Sequence, residues 1–151
     1  MKKTQEMEKI HQLLKSGRFV AGGFLGSDER FFLEIIDDDT AELSRLNVTA
    51  AGLAKRMLKI TDAAIKGLGT WVKVDEKTEA KVDEAKGGLI CPWPHNAGPF
   101  AKRVTTVRRL DTNLTISYSD LSIHFIGEHH FFQGKGSNFR LEPKRLVEII
   151  F

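Results

Sequence analysis

Cysteine is nearly missing: Cys91 is the only one in 151 residues. An intramolecular disulfide is therefore excluded. Secreted domains of this size often carry several bridges, so a reducing compartment is expected. Long apolar runs are missing too. No stretch approaches the ~20 residues that span a bilayer. The opening MKKTQEMEKIHQLLKSG alternates charges and has no apolar core of signal-peptide length. The expectation is a cytoplasmic chain with no membrane partner. Charge of one sign is also scarce, since 23 basic and 20 acidic residues leave a formal net charge of +3. Phosphate-backbone binding needs clustered positive charge. Only Lys102, Arg103, Arg108 and Arg109 approach a cluster, and on a strand they divide between two faces. Nucleic acid is thus a disfavoured partner, kept as a second alternative that predicts weak binding.

What is present is globular in character. Hydrophobic residues make up 41% and charged residues 28%, near the averages for folded proteins, so disorder is excluded. The length suits a single domain over 1–151. No internal repeat or low-complexity tract divides it.

Met7, Ile10 and Leu14, with Leu13 adjacent, predict an amphipathic helix from Lys3 to Lys15, ended at Ser16-Gly17. Its apolar stripe is expected to cover its own domain or a second copy of the chain. Arg18 to Leu25 and Arg30 to Ile36 are rich in β-branched or aromatic residues around a turn-like Gly26-Ser27-Asp28-Glu29. They read as an antiparallel hairpin, with Gly22 and Gly23 marking a bulge or a close backbone approach. Asp37-Asp38-Asp39 lacks the alternate spacing of a calcium loop and reads as negative charge at the start of a short helix, Thr40 to Leu46. Thr49 can cap a longer helix to about Gly67, with Leu53, Met57, Ile60, Ala64 and Leu68 along one face.

Strands are expected over Thr70–Asp75 and Thr78–Ala85, then over Lys102–Leu110 and Leu114–Tyr118. From Asp120 to Phe132 the pattern fits either a strand or a helix, and the Ser119-Asp120 start signal favours the helix. Pro143 opens a final short helix. The resulting fold class is α+β, an antiparallel sheet of about five or six strands packed against two or three helices.

Chemistry concentrates in two segments. Gly87–Pro99 holds three of the four prolines, one of two tryptophans, Cys91 and His95. Prolines restrain their neighbours, so this is a stiff, irregular loop. His124, His129 and His130 follow further on. Thiolate and imidazole suit a borderline-soft cation such as zinc. The metal set is drawn from Cys91, His95, His124, Glu128 and His129, with His130 as a further donor. Glu128 enters because it falls one helical turn from His124, whereas His129 is five residues on and off that face. On this reading the chain is a metal-dependent, zinc-type hydrolase. That hydrolase is the alternative; the leading expectation is a small-ligand-binding or interaction domain that forms a homodimer. A pocket of His124, His129, His130, Lys135 and Arg140 would then hold a small anionic ligand near Gly134-Lys135-Gly136-Ser137. That run lacks the full P-loop pattern, and no Gly-x-Ser-x-Gly elbow supports a serine hydrolase. Cys91 as a nucleophile would need a base such as His95, and its place between Ile90 and Pro92 suggests burial, which would silence it.

Overall fold

The computed structural model describes residues 4–95 and 98–151. Lys3 and part of the proline-rich loop, residues 96–97, lie outside them. Three helices come first, α1 (Gln5–Lys15), α2 (Phe32–Arg45) and α3 (Ala50–Ile65). The strands follow as β1 (Val72–Lys73), β2 (Thr78–Leu89), β3 (Phe100–Arg109) and β4 (Thr115–Ser119). Helices α4 (Asp120–His129) and α5 (Pro143–Ile150) close the chain. The strands form one antiparallel meander in the order β1-β2-β3-β4. The class is α+β as expected, but among the described residues there are four strands and five helices in place of five or six and two or three. None of the helices among the described residues is long and apolar enough to cross a membrane.

The difference in count arises at the second segment. Residues 17–27 are a succession of turns, and Arg30 to Ile36 is the start of α2, so the expected hairpin does not exist. A short apolar run cannot by itself separate strand from buried helix. Over a longer window Phe32, Ile35, Asp39 and Leu43 recur at helical spacing, and all four are buried. Asp37, Asp38 and Asp39 thus lie inside α2 rather than before a helix, and Thr40 continues it. Gly23 is a close approach, as expected: a Cβ there would sit 2.5 Å from the Lys15 carbonyl oxygen.

The helix after Thr49 is α3. Thr49 Oγ1 accepts the Gly52 amide at 3.0 Å, which satisfies one of the orphan donors of the first turn. Thr49→Ala should lower stability by about 1 kcal/mol, read from the urea midpoint. Leu53, Met57, Ile60 and Ala64 are fully buried against Ala80, Val107 and Tyr118 of the sheet and Leu146 and Ile149 of α5. The helix ends before Leu68, however, which has a left-handed φ of 50° and is 92% exposed, so it leaves the apolar face. Polar groups caught beneath α3 are paired: Tyr118 donates to the Met57 carbonyl at 2.7 Å, and Thr61 and Thr105 share a hydrogen bond at 2.7 Å.

A second apolar cluster joins Ile10 and Leu14 of α1, Phe24 and Leu25, Phe32 and Ile35 of α2, Cys91, and Leu121 and Phe125 of α4. The stripe of α1 therefore packs on its own domain. Helix α4 serves both clusters, giving Ile126 to the first and Leu121 and Phe125 to the second. The segment expected to be helix from Asp120 is this helix, shorter than expected by three residues. Ser119 and Ser122 form a reciprocal capping box at its start.

Strand β2 runs beyond the expected Ala85 to Leu89 and pairs with β3 from Thr78 to Glu84 and again at Gly88 and Leu89, with a register shift between. Beyond the shift Leu89 pairs with Phe100. The proline-rich connection starting at Ile90 springs from this end of the hairpin.

Candidate metal centre

Two segments supply the site. The first is the connection between β2 and β3. Pro92 and Pro94 flank Trp93 and hold their predecessors extended, which carries Cys91 inward and His95 to the surface. The second is α4, which contributes His124 and, as its last residue, His129. His130 then takes a left-handed φ of 56° and caps the helix through its amide.

These two segments meet. One donor atom from each of Cys91, His95, His124 and His129 lies within 4.8 Å of every other, a group that could hold a metal ion. The Nε2 atoms of His95 and His129 are 3.0 Å apart, those of His124 and His95 are 3.0 Å apart, and Cys91 Sγ is 3.5 Å from His129 Nε2. With bonds of ~2.0–2.1 Å to nitrogen and ~2.3 Å to sulfur, a tetrahedral ion would have edges of about 3.3 Å between nitrogens and about 3.6 Å from nitrogen to sulfur. The observed short edges are near those values. The same nitrogen of each ring faces a common point. Neutral imidazoles cannot satisfy three converging Nε2 atoms by hydrogen bonds alone, since each N–H serves one acceptor.

Aromatic packing fixes the rings. His129 lies parallel to the Trp93 ring at a centroid distance of 4.0 Å and parallel to the His95 ring at 5.0 Å. His124 rests on Phe100 at 4.5 Å. His124 and His129 are five residues apart and so diverge by about 140° around the helix. Their ring centroids are nonetheless 5.0 Å apart, with the His95 ring 4.9 and 5.0 Å from them.

The electrostatics favour donor-ready imidazoles. Burial, then the neighbouring His124, His95 and His130, holds His129 down at about 4. Burial and then His95 lower His124, against a smaller opposing pull from Glu128. Burial pushes the Cys91 thiol up to about 11, which silences it as a free nucleophile. A metal would have to displace that proton. His129 has a consequence for the metal-free chain. Its folded value lies below the ordinary 6.5, so the unfolded chain binds the proton more readily. Stability is therefore full above about 6.5 and declines as pH falls towards 4. Thermal melts of chelator-treated protein should show that decline, and His129→Gln should flatten it.

The remaining sequence candidates lie elsewhere. Glu128 is exposed and not among the four; it borders a groove with Lys55, Phe100 and His124. His130 faces a different groove, beside Thr40 and Leu43. Lys135 directs its amide to Asp28 Oδ2 at 3.0 Å, so a carboxylate of the chain itself sits where an anion was expected. Arg140 is buried against Asp39 and Glu142. Hence His124 and His129 join the metal group, and His130, Lys135 and Arg140 do not converge with them. The arginines of β3 are also engaged: Arg103 with Asp120 and Glu84, Arg108 with Glu79, and Arg109 with Asp111 and the Phe151 carbonyl. Sequence reasoning missed Trp93 and Phe100 as the surfaces that orient His129 and His124. Their position beside the ligand segments was the available signal. Comparison with protein-family models, with curated proteins and with solved structures found no match.

Proposed function

We propose that this domain is a zinc-binding protein whose ion is held by Cys91, His95, His124 and His129. The observation that carries the reading is the convergence of three Nε2 atoms and one thiol within 4.8 Å. The donor set supports zinc, which takes thiolate and imidazole together and prefers four ligands. Four protein donors make a closed shell, the pattern of structural zinc. The ion would tie the β2–β3 connection to α4, adding to the apolar and aromatic packing between the two segments. A sole cysteine kept as a ligand also suits a reducing, cytoplasmic setting.

A second reading, a zinc hydrolase, draws support from the groove of about 460 Å³ that opens beside His124, with Glu128 and Lys55 on its walls. It requires one donor to yield its place to water, and His95, exposed on the loop, is the candidate. Cobalt substitution distinguishes the two. Elemental analysis should give one zinc per chain, and the cobalt form should show a thiolate charge-transfer band with tetrahedral visible absorption. The closed-shell reading expects that spectrum to be unchanged by small anions such as azide. A spectrum that responds to them favours the hydrolase, and protein purified without chelator that carries no stoichiometric metal sinks both.

A further inference from the structure

Away from the histidines, the turns of residues 17–27 and the loop after α4 enclose a second pocket of about 350 Å³, within the ~300–1,000 Å³ range of small-molecule sites. Its walls are mostly apolar, from Phe19, Val20, Phe24, Leu89, Val104 and Phe139. None of the four metal donors lines it. Phe24 separates the two places, since its other edge meets Phe125 in a T-shaped contact at 5.0 Å.

The polar part of the lining is selective. Lys102, Arg103, Gln133 and Asn138 contribute, and no aspartate or glutamate does among the described residues. Arg103 is held by Asp120 and Glu84, which leaves Lys102, on the exposed rim, as the cation without an ion pair among the described residues. Gln133 is the unusual member. It is 4% exposed and has a left-handed φ of 70°, a conformation that a non-glycine side chain keeps only when its surroundings impose it. Ser137 donates to its Oε1 at 2.6 Å. With Oε1 accepting from Ser137, Nε2 is the end of the amide left as a donor, and no hydrogen bond from it occurs among the described residues. The backbone here is also held tightly. The Gly134 amide donates to the Phe24 carbonyl at 2.8 Å, and a Cβ at Gly134 would fall 2.3 Å from the Leu25 carbonyl oxygen.

A buried side chain that presents an amide donor to the pocket, a cation at the rim and an aromatic-aliphatic body describe one kind of occupant. We propose that this pocket binds a small apolar monocarboxylate, its hydrocarbon part among Phe19, Phe24, Leu89, Val104 and Phe139 and its carboxylate between Gln133 Nε2 and Lys102. An amide donor beside a cation favours a charged acceptor, since charge-assisted hydrogen bonds are the stronger ones. The site goes beyond the zinc reading and does not depend on it.

Titration calorimetry of the full chain with decanoate, below its micellar range, tests the assignment. The expected result is saturable binding of one decanoate per chain, equal in zinc-loaded and chelator-treated protein. Decan-1-ol should bind at least ~10-fold more weakly, since it lacks the charge. Lys102→Glu, an exposed change, should weaken decanoate by a similar factor, and Val104→Trp should abolish binding by filling the pocket. Equal affinity for the alcohol, or an unchanged affinity in Lys102→Glu, overturns the carboxylate assignment. Absence of saturable binding, or full affinity in a folded Val104→Trp protein, overturns the pocket itself.

Discussion

Zinc at about a thousand times its dissociation constant is expected to stabilise the chelator-treated protein by ~4 kcal/mol and to raise its melting temperature by roughly 8–16 °C, and Cys91→Ala should remove most of that rise. The magnitude follows from mass action on a ligand that binds the folded chain and not the unfolded one. Cys91 and His129 are 38 residues apart, so an unfolded chain does not present the donors together. Alanine at position 91 deletes the only thiolate and leaves a small cavity in the second apolar cluster, where Cys91 is 7% exposed. The metal-free variant is therefore the reference for its own zinc response. Two controls separate ligation from general loss of charge. His130→Asn keeps a residue that tolerates the left-handed cap and removes a histidine outside the group, so the zinc response should be intact. Glu128→Gln should leave it intact as well. A melting curve that ignores zinc, or that responds equally in Cys91→Ala, would count decisively against the four-donor site.

Asp39→Ala is expected to cost about 3–5 kcal/mol, the range for breaking a buried ion pair. Asp39 and Arg140 have side chains 7% and 8% exposed, and their two hydrogen bonds measure 2.5 and 2.9 Å. Arg140 also donates to the Gln133 carbonyl at 2.8 Å. Burial works against the guanidinium charge, and the Asp39 and then Glu142 carboxylates more than offset it, holding Arg140 above its ordinary value. Removing Asp39 leaves that cation buried with only Glu142, which is largely exposed. The residual partner places the loss towards the lower end of the range. The paired replacement of Asp39 by Leu and Arg140 by Met removes both charges and should recover most of the stability, since apolar substitutes of similar volume often match a buried pair. Urea unfolding of the single and double variants measures this. A single variant as stable as the parent would mean the pair is solvated.

These cases show what a linear reading can and cannot carry. Thr49 and Ser119 announce their helices through local hydrogen bonds, so both starts were legible. The meander from Val72 to Ser119 was legible because its alternation is local. Residues 18–36 were misread because aromatic and β-branched content was weighed over seven residues, while the helical period needed Asp39 and Leu43 to declare itself. A buried aspartate does not look like a core position until its arginine, 101 residues later, is in place. The metal group was half legible. Residue types named Cys91, His95, His124 and His129, but their convergence depends on tertiary packing through Trp93 and Phe100. Helical spacing put Glu128 rather than His129 on the face of His124, and the place of His129 as the last residue of α4 beside a long-range loop overrode that argument. Nothing in the sequence marks Gln133 as left-handed.

The short β1 has one more consequence. It pairs with β2 only at Glu79 and Ala80, so among the described residues the outer side of β2 from Lys81 to Leu89 has no strand beside it. Such a bare edge invites a second chain to add itself and propagate a fibre. Here that edge carries Lys81, Asp83, Glu84 and Lys86, then Gly87 with a left-handed φ of 100° at the register shift. Charges of both signs resist stacking onto an identical strand, and the irregular backbone breaks the repeat that a growing sheet requires. The edge that leads into the Cys91 connection thus has the features that discourage edge-to-edge pairing, whatever the histidine cluster holds.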